Sequence, residues 1–268
     1  MLFLVETKKQ GVSRIKKIKC DVSVCITLHK ENSLAQRTLI NVDHQVKYAQ
    51  SRGVAIEVLL HLDRPNSTTR RLARGFNSFS CRVHTYENSF GDPGLSRNFL
   101  IKKANGKYLA FIDADDYFTQ DWLWLAWQRA KKVKKPSVFS PEKCIYFNED
   151  GIQLIHQLWQ SNDPNFYSAN AIVSNPILSA NFVHNEIYKS IKYRPNSQHY
   201  GYEDWRWNLD ILAAGYKILT VPKTIFFYRL KKMVQLISIV IRNQKLLASH
   251  YFLNLLFFYN YISLIKVL

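Results

Sequence analysis

The sequence predicts an α/β fold in which a mostly parallel sheet is flanked by helices. An unbroken apolar run, residues 108–112, has the length of a strand and lacks the polar and apolar alternation of a half-exposed one, which favours burial on both faces. The first half of the chain alternates such strands with segments of helical periodicity, an order typical of parallel sheets. With 268 residues, of which 47% are hydrophobic, the chain is large enough to bury a substantial core.

The elements before this run follow a strand, helix, strand order. Apolar side chains at helical spacing follow the first strand, and Gly53 supplies a stop signal. Two successive strands joined by a helix imply parallel pairing. The predicted strands of this half are residues 22–28, 54–62, 81–87 and 108–112, and a further helix is predicted within GDPGLSRNFLIKKANG.

The second half of the chain is less regular, and its elements are predicted from punctuation residues as much as from periodicity. They are a helix over residues 121–132, a hairpin with an Asp150-Gly151 turn, a helix over residues 203–214 closed by Gly215, and two short strands ending at Arg229.

Composition changes at both ends of the chain. Residues 1–20 form a basic arm whose apolar start is too short for a signal peptide, and residues 21–230 form the domain. Residues 231–268 predict an amphipathic helical tail. No Lys, Arg, Asp or Glu occurs between residues 246 and 265, which is long enough to span a bilayer. Polar residues interrupt this stretch, however, so a helix lying at an interface or packed on the core is favoured over a membrane span.

The net charge of +17 predicts a polyanionic partner, which can be an anionic membrane, a nucleic acid or a phosphorylated substrate. The basic residues are spread through the chain and acidic residues occupy its centre, a pattern that argues against nucleic-acid binding. Four cysteines without a CxxC pair predict a reducing, cytosolic compartment.

Three carboxylates, Asp113, Asp115 and Asp116, follow the apolar run directly. Ligands of parallel sheets gather at the carboxyl ends of the strands. Because the three acids repel one another, a cation is expected among them, and oxygen ligands suit Mg²⁺ or Mn²⁺. The alternative is an acidic turn that caps the helix after it.

The motifs together resemble the inverting family 2 glycosyltransferases of the GT-A fold. The resemblance covers roughly residues 22–229: a strand ending in Thr (CITLHK), an Asp after the second strand (EVLLHLDRPN), LSRNFLIKKANGKYLAFIDADD, GYEDWRW and FFYR. The segment 96–116 and the GYEDW motif are its most specific parts. It implies a nucleotide-binding half, residues 21–118, and an acceptor-binding half, residues 119–230.

For the donor, the resemblance implies a set of contacts around the first half's strand ends. His29 replaces an aromatic residue of the family, and Arg97 has a salt bridge as its alternative role. The implied roles are Asp115 as ligand of Mn²⁺ or Mg²⁺, Asp113 at the ribose or in the metal shell, Asp63 at the base, Thr27 and His29 at the nucleoside, and Arg97 and Arg229 near the diphosphate.

For the acceptor, the resemblance implies that Asp204 is the general base. Inversion requires an acceptor hydroxyl to attack opposite the departing diphosphate, and a carboxylate on that face removes its proton. Glu203 and Trp205 are the implied acceptor contacts. The alternatives are two first-turn acids favoured by the helix dipole and a tryptophan packed in the core.

The sequence thus predicts an inverting glycosyltransferase that moves a sugar from a nucleotide-diphosphate donor, expected to be a UDP-sugar, to a glycan or lipid-linked saccharide. We expect a role in lipopolysaccharide, capsule or other surface-glycan synthesis, in the cytoplasm at the inner face of the membrane, with peripheral contact to anionic lipid. The alternatives are a catalytically inactive glycosyltransferase-like binding protein and a sugar nucleotidyltransferase. The second lacks its expected glycine-rich phosphate loop in CITLHKENSLAQ.

Overall fold

The computed structural model describes residues 20–76, 81–161, 171, 175, 178–195 and 202–230. The predicted tail, residues 231–268, and nearly all of the predicted basic arm lie outside the described residues. In the parts of the chain that the structure does describe, no helix has both the length and the apolar character that crossing a bilayer requires.

Strands and helices alternate through the first half, as predicted, and the second half adds a hairpin and further strands. The elements are β1 (Val22–Leu28), α1 (Ser33–Gln50), β2 (Ile56–Asp63), α2 (Ser67–Gly75), β3 (Arg82–Asn88), α3 (Pro93–Lys103), β4 (Tyr108–Asp113), β5 (Tyr117–Phe118), α4 (Trp122–Lys132), β6 (Ser137–Asn148), β7 (Gly151–Gln157), β8 (Phe182–His184), α5 (Asn185–Ser190), α6 (Glu203–Ala213) and β9 (Lys217–Arg229).

The strands of the described residues form one nine-stranded sheet in the order β3-β2-β1-β4-β8-β6-β9-β5, with β7 paired to β6. The first four strands in this order are parallel. The short strand β8 is antiparallel to both β4 and β6, so it joins the two halves of the sheet. Beyond it β6 and β9 are parallel again. The predicted α/β fold with a mostly parallel sheet is therefore confirmed.

Helices on both faces of the sheet explain why burial does not alternate along β1, β2 and β4. In β4, Ala110 and Ile112 face a core beneath α1 and α4, whereas Leu109 and Phe111 face a second core beneath α3, α5 and α6. Each of these four side chains is at most 2% exposed. Both faces of the sheet are thus covered by helices, and solvent reaches these strands only at their ends.

Two predictions for the second half need correction. The two short strands expected before Arg229 are one 13-residue strand, β9. Lys223 takes a positive φ of 65° after Pro222, and the register against β6 shifts between Pro141 and Lys143, so a local irregularity lets pairing continue past the proline. The predicted hairpin is present, but its turn residues are Glu149 and Asp150, since Gly151 already pairs with Asn148.

The two-residue strand β5 is held along both edges. On one side Phe118 pairs with Phe226 of β9. On the other, the side-chain amide of Asn41 on α1 donates to the Phe118 carbonyl and accepts from the Phe118 amide, each at 3.0 Å. Because β5 follows the acidic cluster directly, these bonds fix the chain on the far side of that cluster.

Candidate active site

A cleft of about 620 Å³ opens at the carboxyl ends of β1, β2 and β4. Thr27 near the end of β1 is in register with His61 of β2 and Asp113 of β4, so parallel pairing brings the three strand ends to one edge. This edge is where parallel α/β sheets bind their ligands. Of the ten predicted site residues, those that line the cleft are Thr27, His29, Asp63, Arg97, Asp113, Asp115, Glu203 and Arg229.

Asp63, at the end of β2, is fixed by the loop that leads to α3. Its carboxylate accepts from the backbone amide of Gly91 at 2.9 Å and from the Ser96 hydroxyl at 3.4 Å. The His29 ring contacts the Asp63 carbonyl through Nδ1 at 2.5 Å. These contacts hold the predicted base-reading carboxylate, which is 7% exposed, in one position at the cleft.

Arg64 enters the cleft beside Asp63 in an unusual backbone conformation, with a φ of 48°. Its guanidinium lies against Gly91, where a Cβ would come within 2.3 Å of Cζ. A side chain at Gly91 would therefore displace the arginine, and the positive φ of 63° at this glycine also disfavours one.

The predicted metal ligand, Asp115, is 7% exposed and lines the cleft just beyond β4. Among the described residues, no group of three or more His, Cys, Asp or Glu side chains is arranged to hold a metal ion. Mg²⁺ is often held by one or two carboxylates together with substrate phosphates and water. The Asp115 carboxylate lies at the wall of a cleft that is large enough for a diphosphate, and this arrangement fits that mode of binding.

Asp116 ties the acidic cluster to β9 and does not cap a helix. Its carboxylate accepts from the Arg229 backbone amide at 2.9 Å, and α4 begins only after Asp121. The Arg229 side chain donates to the Tyr117 hydroxyl at 2.6 Å and to the Asp115 carbonyl at 3.3 Å. Its guanidinium, 4.5 Å from the centre of the Phe147 ring, lines the cleft as a cation beside Asp115.

Arg97 on α3 forms the salt bridges that were the alternative to a diphosphate contact. It donates to Asp113 at 2.9 Å and to Glu203 at 2.6 Å, and its side chain is only 4% exposed. Burial alone would lower the pKa of Arg97, but the two carboxylates raise it well above its ordinary value. The second oxygen of Asp113 accepts from the Ser179 hydroxyl.

Asp204 lies in the first turn of α6, next to the cleft-lining Glu203 but not itself among the lining residues. The side chain of Asn175 donates to its carboxylate at 3.0 Å. Desolvation raises the pKa of Asp204 to about 7, with a further contribution from Glu203, while Arg97 opposes the rise. A carboxyl group with this pKa exchanges a proton readily at neutral pH, as a general base must.

Trp205 is fixed by its polar end. Its indole N–H donates to the Ala171 carbonyl at 2.7 Å, and its ring meets the exposed Tyr202 edge-on at 5.6 Å. Trp205 is half-buried and outside the cleft lining, so the structure does not bring it together with the donor residues.

Sequence reasoning missed several residues that hold the predicted ones in place. Ser179 and Asn175 bind Asp113 and Asp204 from a part of the chain without a recognisable motif. Gly91 and Ser96 hold Asp63; Gly91 lies before the motif of residues 96–116, and Ser96 is its first residue. The Asp-Pro-Gly sequence before Ser96 was the one available signal of a tight loop.

The α/β sheet flanked by helices, with carboxylates at its cleft, has the architecture of the GT-A fold. Solved structures of this fold are similar to the chain. TarS 1-349 of Staphylococcus aureus in complex with UDP-GlcNAc matches with a TM-score of 0.60 and 18% identity, over 81% of this chain and 61% of that one. The mannosyltransferase PcManGT of Pyrobaculum calidifontis, in complex with GDP-Man and Mn²⁺, matches with a TM-score of 0.59 and 16% identity, over 81% and 59%.

The family model of glycosyl transferase family 2 matches residues 23–178, more than half of the chain, and the chain belongs to this family. A curated relative, the poly(ribitol-phosphate) β-N-acetylglucosaminyltransferase TarS of S. aureus, is 36% identical over 47 residues, which are 18% of this chain and 8% of TarS. The chain thus matches a small part of this relative by sequence and about three fifths of the TarS 1-349 structure by fold. The predicted family, GT-A fold and glycosyltransferase class are confirmed.

Proposed function

We propose that this glycosyltransferase moves a sugar from a nucleotide-diphosphate donor, a UDP-sugar, to an acceptor hydroxyl with inversion and with a divalent metal. The observation that carries the proposal is the cleft, which brings Asp63, Asp115 and Arg229 to one sheet edge and places Glu203, the neighbour of Asp204, in its wall. Solved relatives with UDP-GlcNAc or with GDP-Man and Mn²⁺ support a donor of this class.

The strand order suggests how the donor lies. Asp63 ends β2 and Asp115 follows β4, and β1 separates these two strands. Neighbouring strands are about 4.8 Å apart, so the two carboxylates belong to strand ends roughly 10 Å apart. A nucleoside diphosphate can bridge such a span with its base over β2 and its diphosphate over β4.

At the β4 end, Asp115 would hold the Mn²⁺ or Mg²⁺ ion and Arg229 would face the diphosphate. A divalent ion there stabilises the charge that grows on the leaving diphosphate. Arg229 contributes a positive charge from the end of β9, where Tyr117 and the Asp115 carbonyl orient its guanidinium.

On the acceptor side, Asp204 takes the proton of the attacking hydroxyl. Its raised pKa of about 7 leaves a large fraction deprotonated at neutral pH while keeping the carboxylate basic enough to accept a proton. Glu203 and Trp205 are the proposed acceptor contacts, and the Asn175 side chain orients the base.

The acceptor we propose is a glycan or lipid-linked saccharide of the cell surface. The net charge of +17 suits work beside an anionic membrane face or on a phosphate-bearing glycan. The name of the relative TarS, a transferase acting on poly(ribitol-phosphate), supports a surface polymer as the acceptor class.

A thermal-shift panel tests the donor site: UDP, GDP, CDP and ADP, each with and without Mn²⁺. A ligand at a hundred times its Kd stabilises the fold by about 2.7 kcal/mol, which is readily measured. We expect UDP with Mn²⁺ to raise the Tm, and Asp115→Asn to remove the metal-dependent part. Asp150→Asn, in the exposed hairpin turn, is the matched control. No shift with any nucleotide would favour the inactive binding protein instead.

A further inference from the structure

Arg97 connects three elements that the proposed reaction needs in register. It projects from α3, and its partners are Asp113 at the end of β4 and Glu203 at the start of α6. We call these three residues the Arg97 bridge. Asp113, at one end of the bridge, belongs to β4, the strand just before the proposed metal ligand, Asp115. Glu203, at the other end, is the neighbour of the proposed base, Asp204.

The geometry of the bridge leaves little of Arg97 for a ligand. Both terminal nitrogens are engaged, at 2.6 and 2.9 Å, and the side chain is 4% exposed. The centre of the buried Tyr193 ring lies 5.4 Å from Cζ, and the remaining nitrogen, Nε, is buried and has no hydrogen-bond partner among the described residues. With the two ion pairs in place, the guanidinium offers a diphosphate almost no accessible surface.

The start of α6 has no side-chain cap of its own and is held by contacts to other elements. Its N-cap residue, Tyr202, has a left-handed φ of 59° and makes no side-chain capping bond, so the first turn lacks the usual local fixation. Glu203 and Asp204 are both in that turn. The ion pair to Arg97 therefore ties this turn to the end of β4, in addition to the Asn175 contact that holds Asp204.

We infer that Arg97 is a positioning residue that keeps Asp204 in fixed register with the donor strand, and not a ligand of the donor diphosphate. This inference rests on the proposed function. A planar guanidinium can hold two carboxylates at once, whereas the point charge of a lysine holds its partners with far less directional control. A displacement of about 1 Å in a reacting group can lower the rate about a hundredfold.

The test compares Arg97→Lys with the wild-type chain in kcat, in KM for the sugar nucleotide, and in the Kd of UDP measured with Mn²⁺. We expect kcat to fall about a hundredfold, as that displacement implies, while the Kd stays within about threefold. The matched control is Arg194→Lys. Arg194 pairs with Asp210 of α6 at 3.0 Å, and neither residue lines the cleft. Arg194→Lys should therefore leave kcat and the Kd of UDP unchanged.

A double variant tests whether the bridge acts as one unit. Glu203→Gln breaks it from the other end, so the double variant of Arg97→Lys and Glu203→Gln should lower kcat by less than the product of the two single-variant effects, because the shared bridge is lost only once. Multiplying effects would overturn the inference. It would also be overturned if Arg97→Lys weakened UDP binding tenfold at unchanged kcat, or altered neither quantity.

Failure of the proposed function has a separate signature, in which the wild-type chain transfers no sugar from any donor. The bridge is then judged by hydrogen exchange in the first turn of α6. Faster exchange of the amides of residues 206–208, the first that bond within the helix, in Arg97→Lys but not in Arg194→Lys would support it, and unchanged exchange would overturn it.

Discussion

The predicted donor half, residues 21–118, and the predicted acceptor half, residues 119–230, hold their candidate site residues by different means. In the donor half, Thr27, Asp63 and Asp113 are terminal or near-terminal residues of parallel strands, so backbone pairing sets their spacing. In the acceptor half, Glu203 and Asp204 are held by side chains from distant parts of the chain. Register is shared by a whole strand, whereas a side-chain contact can be lost through one substitution. The acceptor half should therefore be the more sensitive to single polar changes.

The largest expected effect separates the two halves functionally. Asp204→Asn should lower kcat by about 10²–10⁴-fold, because the amide does not accept the acceptor proton. The Kd of UDP with Mn²⁺, a property of the donor half, should stay within about twofold. Kinetics and calorimetry on the same preparation measure both. Full activity of Asp204→Asn would refute the base assignment.

The next largest effect is expected at β8, the strand that joins the two halves of the sheet. Phe182 of β8 is fully buried and stacks on Tyr108 of β4 at 5.2 Å, with Trp122 and Phe139 on other sides. Phe182→Ala should reduce the free energy of unfolding by about 3–5 kcal/mol. Denaturant unfolding measures it. A single transition would indicate that the halves unfold together, and two transitions would show that they are separately stable.

Turnover and UDP binding should also depend on pH to different extents. Turnover should fall about tenfold for each pH unit below about 7 as Asp204 gains its proton, while UDP binding changes less. Because folding raises this pKa, the folded state holds the proton more tightly than the unfolded chain does. The associated stability is full at low pH and is lost as the pH rises through about 7. Because this loss begins near the ordinary Asp pKa of 3.8, Asp204→Asn should gain more Tm relative to wild type at pH 8 than at pH 5.

The smallest effect is expected at the surface of the donor half. Arg70 and Glu87 pair at 2.7 Å, with side chains 43% and 46% exposed. Arg70→Ala should leave the Tm and the turnover nearly unchanged, because exposed ion pairs contribute little. A larger loss of stability would mean that α2 and β3 depend on this pair more than its exposure implies.

The donor half could be predicted from sequence because its signals are local. Residues 22–28 are mostly apolar and residues 108–112 entirely so, and turn residues mark the ends of the helices that connect such strands. The acceptor half resisted because its determinants are distant contacts. The three residues of β8 carry no period, and Ser179 reaches Asp113 across 66 positions of sequence. The sequence predicts two short strands before Arg229, yet β9 is one strand whose pairing to β6 continues past Pro222.

The two hydrogen bonds between the Asn41 side chain and β5 bear on how molecules of this protein associate. An unpaired strand at the border of a sheet offers N–H and C=O groups to another chain, and so promotes edge-to-edge aggregation. β5 is the last strand in the described sheet order, and Asn41 bonds both the N–H and the C=O of Phe118. One side-chain amide thus takes the place of a neighbouring strand at Phe118, so the backbone N–H and C=O of this residue are not free to pair with another chain.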